Sequence, residues 1–302
     1  NAWISVCWSP ELHLFVSVAN TGTGNRVMTS PDGVTWTLRT SAADNAWISV
    51  CWSPELHLFV SVANTGTGNR VMTSPDGVTW TLRTSAADNA WISVCWSPEL
   101  HLFVSVANTG TGNRVMTSPD GVTWTLRTSA ADNSWISVCW SPELHLFVSV
   151  ANTGTGNRVM TSPDGVAWTL RTSAADNSWI SVCWSPELNL FAAIANSGTG
   201  NRVMTSTNGI DWVSRSSAGD NPWSSVCWSP ELNLFVVIAN SYYSIMTSPD
   251  GVNWTFRTGP NNLPWNSVCW SSELGIFVAV ASGGTGNRIM TSGSGLGKGY
   301  IG

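Results

Sequence analysis

The feature that most restricts this chain is a repeat. The opening 44 residues, NAWISVCWSPELHLFVSVANTGTGNRVMTSPDGVTWTLRTSAAD, recur letter for letter at 45–88 and again at 89–132. A fourth copy from Asn133 changes only Ser134 and Ala167, and copies from Asn177 and Asn221 drift further. Trp3, Trp47, Trp91, Trp135, Trp179, Trp223 and Trp265 mark seven units, spanning 1–44, 45–88, 89–132, 133–176, 177–220, 221–262 and 263–302. Six units carry three Trp each, whereas the last has only Trp265 and Trp270, so the seventh unit is incomplete.

Each unit reads as strands. WISVCW, LHLFVSVA, NRVMTS and VTWTLRT are short, rich in β-branched and aromatic residues, and separated by SPE, NTGTG, PDG and SAADN. The Pro and Gly punctuation leaves no room for the long helices of a helical solenoid. Four strands in a period near 40–45 residues predict a blade whose faces are covered only by its neighbours. The expected fold is therefore all-β: one seven-bladed β-propeller over 1–302, with four-stranded antiparallel blades and a last blade that is incomplete or has an irregular outer strand. Leu12–Ala19 is apolar on both faces and belongs between blades, whereas Val34–Thr40 alternates and belongs at the rim. A meander then puts NTGTGN and SAADN on one face of the disc, and SPEL and SPDG on the other. Because the chain opens with an innermost strand, no N-terminal strand completes the last blade. Either Gly295–Ile301 forms a poor fourth strand or the blade has three, and the seam between first and last blades is expected to be weak.

Composition narrows the function. Hydrophobic residues make up 43% of the chain and Trp occurs 20 times, which excludes a disordered polymer. With 13 basic against 18 acidic residues there is no cationic field for nucleic acid. No apolar run approaches the ~20 residues needed to cross a bilayer as a helix, and no charged-then-apolar leader opens the chain. Neither nucleic acid nor membrane insertion is expected. Cys7, Cys51, Cys95, Cys139, Cys183, Cys227 and Cys269 are equivalent and odd in number, so they read as unpaired buried fillers, leaning towards a reducing compartment. No metal site or cofactor is expected, since no Cys/His ligand spacing is present.

Ser30-Pro31-Asp32-Gly33-Val34-Thr35-Trp36 resembles the Asp-box, or bacterial neuraminidase repeat, of sialidase-type propellers, shortened by one residue between Asp and Gly. Copies run at 74–80, 118–124, 162–168, 206–212 and 248–254. The resemblance implies a hairpin between third and fourth strands, with Asp32 accepting amide N–H groups, Gly33 at positive φ and Trp36 packed over the turn. A sialidase-like glycoside hydrolase is a lesser alternative: such catalysis needs different residues from different blades, whereas the Arg residues here repeat with the blades. No catalytic residue is assigned. Glu11 and its counterparts are explained by turn chemistry, with a ring of carboxylates near one channel mouth that would attract cations, and His13 and its counterparts read as surface polar positions.

The layout W-x(4)-W-S-P-x-L-x-L-F-V-x-V is similar to tachylectin-type propeller lectins. The expected function is a non-catalytic binding or scaffold propeller, with glycans or a protein partner on the NTGTGN/SAADN face. Asn25, Arg26, Asp44, Asn45 and Trp47, with Asn69, Arg70, Asp88, Asn89 and Trp91, would supply donors, acceptors and an aromatic plate, repeated for avidity. The alternative is a purely structural repeat protein without ligand, recently amplified or deliberately built, with all Trp in the core.

Overall fold

The computed structural model describes residues 1–241 and 243–293. In the first blade an innermost strand, Trp3–Ser9, is followed outward by Leu14–Ala19, Val27–Ser30 and Thr37–Arg39. All neighbouring pairs are antiparallel, and the same four-stranded meander recurs in six blades. The seventh sheet has three strands, Trp265–Ser271, Ile276–Ala281 and Ile289–Thr291. Innermost strands of successive blades meet around the axis, and the first meets the last, so the ring closes. No helix occurs among the described residues. The expectation for Gly295–Ile301 falls outside the described residues.

Alternation along each strand makes the ring possible. In the second strand, Val16 and Val18 join Val27 in facing forward, into a cluster with Trp47, Val50, Phe59 and Met72 of the next blade. Phe15 and Ala19, with Met28, face backward onto Ile276, Val278 and Val280 of the last blade. An interior strand of this kind has no wet side, which is why it reads as an unbroken apolar run. Two polar bonds that recur at every interface fix the blades against sliding. The Val50 amide donates to Ser5 Oγ of the preceding blade at 3.2 Å, and the Trp52 indole donates to the Glu11 carboxylate at 2.6 Å. Both recur at the seam, where Val6 N–H meets Ser267 Oγ at 3.2 Å and the Trp8 indole meets Glu273 at 2.6 Å.

The inner part of the seam is thus bonded like every other interface, contrary to a uniformly weak junction. What is lacking is the rim, since Ile289–Thr291 has no outer neighbour among the described residues. Amides of Ile289–Thr291 are expected to exchange faster with solvent than those of Val27–Thr29 or Val71–Thr73, while Val268 and Val6 match their counterparts. Hydrogen exchange resolved by residue checks this, and equal protection at all the third strands would contradict it.

The outer strand is shorter than the sequence alternation implies: Thr37–Arg39 rather than Val34–Thr40. The Val34 and Thr35 amides are committed to the Asp32 carboxylate at 2.8 and 2.7 Å, so those residues belong to the turn and cannot join the ladder.

Candidate functional site

Most groups of the NTGTGN/SAADN face satisfy one another, although the Oδ1 atoms of Asn20, Asn64, Asn108 and Asn152 are buried there without a hydrogen-bond partner. The Asn45 side-chain amide donates to the Asn69 carbonyl and Oδ1 at 2.8 and 3.1 Å, and Asn89 does the same to Asn113. In the first blade Asn1 donates to the Asn25 carbonyl at 2.6 Å. Arg26 donates from Nε to the Gly22 carbonyl and from Nη1 to that of Asn20, and lies 3.7 Å from Asp44. Arg70 repeats this with Gly66, Asn64 and Asp88. The Asp44 and Asp88 carboxylates accept the Gly24 and Gly68 amides at 2.6 Å. The loops are polar because they must hold this shape.

Trp47 and Trp91 are a correction to the expected binding surface. Both are 0% exposed, each with its indole N–H spent on a carbonyl, that of Ala43 or Ala87, at 3.0 Å. Their ring faces pack between blades, so no aromatic plate is presented to a glycan. Asn45 and Asn89 are buried as well, while Asp44 keeps 43% of its side-chain surface.

The axis is open at the loop side. Ile4, Ile48, Ile92, Ile136 and Ile180 line a cavity of about 530 Å³, with Ser224 and Asn266 replacing the isoleucine in the last two blades. A bulge between Trp3 and Ser5 takes Ile4 out of the ladder, where it lines that cavity. The seven thiols are partly exposed as residues, yet burial pushes each up, Cys227 to about 12 and the others at least well above the ordinary thiol range. Such thiols are poor nucleophiles. Among the described residues no group of three or more His, Cys, Asp or Glu is arranged to hold a metal ion.

The SPEL/SPDG face is chemically different. In the hairpin, Asp32 Oδ1 accepts Val34 and Thr35 N–H, Ser30 Oγ accepts Gly33 N–H at 2.8 Å, and the Trp36 indole donates to the Gly33 carbonyl at 2.9 Å. The amides of Thr35 and Val34 draw the Asp32 carboxyl down to about 2. At Gly77 a left-handed φ of 73° combines with a close approach, since a Cβ there would stand 2.8 Å from Leu14 of the preceding blade. His13 and its equivalents through Asn233 occupy φ 47°, and Gly275 φ 64°, so His, Asn and Gly interchange because this turn needs a left-handed residue.

Because the meander gathers both turn types on one side, this face holds the seven Glu of the first turns, the five Asp of the hairpins and Asp211. That is thirteen of the eighteen carboxylates, and no Lys or Arg lies on these turns among the described residues. Six of the Arg residues, including Arg26, sit in the opposite loops, and six, including Arg39, on the outer strands. Between the carboxylates stand exposed aliphatics: Leu12, Leu56, Leu100, Leu232 and Leu274 on the first turns, and Val78, Val122, Val166, Ile210 and Val252 on the hairpins. Sequence reasoning noticed the Glu ring without adding the hairpin Asp to it. The signal was available as a count by face.

No protein-family model and no curated protein matches the chain. Solved structures do. Virginiamycin B lyase from Staphylococcus aureus superposes with a TM-score of 0.79 at 8% identity, over 93% of this chain and 92% of that one. A β-propeller domain from Myceliophteria thermophila gives 0.67 at 10% identity, over 96% of each chain. A chain of the Mitotic Checkpoint Complex gives 0.69 at 13% identity, over 92% of this chain and 84% of that one. The fold is a seven-bladed β-propeller. At these identities the likeness is one of fold alone.

Proposed function

We propose that this chain is a non-catalytic binding propeller whose SPEL/SPDG face receives a cationic protein partner with apolar side chains. The observation that supports this reading is the one-signed face: thirteen carboxylates without a Lys or Arg among the described residues, interleaved with exposed Leu and Val. One-signed charge steers a partner, and desolvated aliphatics hold it. A neighbour in fold is a chain of the Mitotic Checkpoint Complex, which is in keeping with a partner-binding role. Repetition supports the non-catalytic part, because equivalent groups lie in equivalent settings rather than converging in distinct roles. A glycan-binding reading of the loop face ranks second, since it retains exposed carboxylates such as Asp44 but has lost its stacking rings.

Asn208 supplies the test. It stands where other hairpins have Asp, and its Oδ1 accepts Ile210 and Asp211 N–H at 2.9 and 2.8 Å, so Asn preserves the turn. The variant D32N/D76N/D120N/D164N/D250N removes five negative charges from one face and leaves the aliphatics in place. Its affinity for a labelled Arg- and Leu-containing peptide is expected to fall by about tenfold or more, with a flatter dependence on salt. Unchanged affinity and an unchanged salt slope would overturn the assignment of this face. A glycan screen in parallel addresses the second reading.

A further inference from the structure

Among the described residues the seventh blade has three strands and leaves two surfaces uncovered, and the other six blades show what covers their counterparts. On the first-blade side a groove of about 740 Å³ is lined by Val34, Trp36, Leu38, Ile289 and Thr291. Val34 is 74% exposed there, against 41% for Val78, and Leu38 is 55% exposed, whereas Leu82 and Leu126 pack against core clusters. On the sixth-blade side a small cavity of about 30 Å³ opens beside Phe277 and Met290.

In complete blades one segment covers the third strand and the residues beneath it. Trp36 lies 6.2 Å from Phe15, Arg39 Nε donates to Thr29 Oγ1 at 2.9 Å, and Asp44 accepts the Gly24 amide. The equivalents Phe277, Thr291 and Gly286 are all present in the seventh blade, and no described residue plays the part of Trp36, Arg39 or Asp44 towards them. Among the described residues the receptor half of the contact is present without an occupant.

We propose that the open edge of Ile289–Thr291 is a strand-binding groove for an extended segment with the outer-strand chemistry of this repeat, a Pro-Asp-Gly turn and Trp followed by Thr-Leu-Arg, supplied by a second polypeptide. All six outer strands of the described chain are already paired within their own sheets. The register is given by the first blade, where Val27, Met28 and Thr29 face Arg39, Leu38 and Thr37. Ile289 therefore faces the incoming Arg, Met290 the Leu and Thr291 the Thr. Ladder bonds supply affinity, and the Trp and Leu pockets supply selectivity. This groove lies at the rim between the last and first blades, and meets the acidic face only at Gly33 and Val34 of the first hairpin.

A labelled peptide with the sequence of residues 30–44 tests the proposal against the full chain. Saturable one-to-one binding is expected, with exchange of the Ile289–Thr291 amides slowed about tenfold or more and other blades unaffected. The same peptide carrying Trp36→Ala and Leu38→Pro is expected to do neither, and T291V in the protein to weaken binding by removing the acceptor for the peptide Arg. Absence of binding by a folded chain would overturn the proposal. So would full protection of Ile289–Thr291 before peptide is added, which would mean that the chain fills its own groove.

Discussion

Replacing Trp91 with alanine is expected to destabilise the propeller by about 3–5 kcal/mol, the range for deleting a large buried aromatic. The ring is fully enclosed, packed on Val60, Val62 and Val71 of the preceding blade and on Phe103 and Met116 of its own. Its indole N–H also serves the Ala87 carbonyl at 3.0 Å, so Trp91→Phe keeps most of the packing but strands that acceptor, at about 1–3 kcal/mol. By contrast Val122→Ser, on the exposed hairpin, is expected within about 0.5 kcal/mol of the parent. Urea unfolding followed by circular dichroism separates the three. A W91A variant as stable as the parent would put the ring at the surface and restore the aromatic plate that a lectin reading requires.

The contrast between Trp91 and Val122 shows how far the sequence could be read. Blade number, strand order and the doubly buried second strand were legible because each depends on periodicity and alternation, which the chain states seven times. The hairpin chemistry was legible as well, since Asp32 and Gly33 act within a few residues of themselves. Residues acting across blades were not. Glu11 looks like a turn residue until Trp52, a full repeat away, is found donating to it. Trp47 follows a polar loop and passes for a surface ring, and only closure of the disc shows that the neighbouring blade covers it. Arg26 passes for a ligand group until the Gly22 carbonyl and Asp44 are found beside it. A repeat sequence records what each unit contains, whereas sites lie in what adjoining units share.

The largest pH effect is expected in acid, from the same hairpins. Local amides take the Asp32 carboxyl down to about 2, and at Asp250 the Asn253 and Val252 groups outweigh burial to reach about 2 as well. Asp76, Asp120 and Asp164 are shifted in the same direction, with amide bonds prevailing over burial. Because the folded values lie below the unfolded value of about 3.9, the unfolded chain binds more protons between these limits. The contribution is complete above about pH 4 and is lost as pH falls towards 2, so the urea midpoint should drop steeply across that window and stay level on the neutral side. Protonation also weakens the bonds from two amides per turn, which lose their charged acceptor at five of the six hairpins. The fifth blade is the internal control: Asn208 holds the same amides without a titrating group and should keep its hairpin protection at pH 2.5 relative to the others. Converting the five Asp to Asn should flatten the profile. A midpoint in that variant that still falls as steeply as in the parent would overturn the assignment of the acid response to the hairpins.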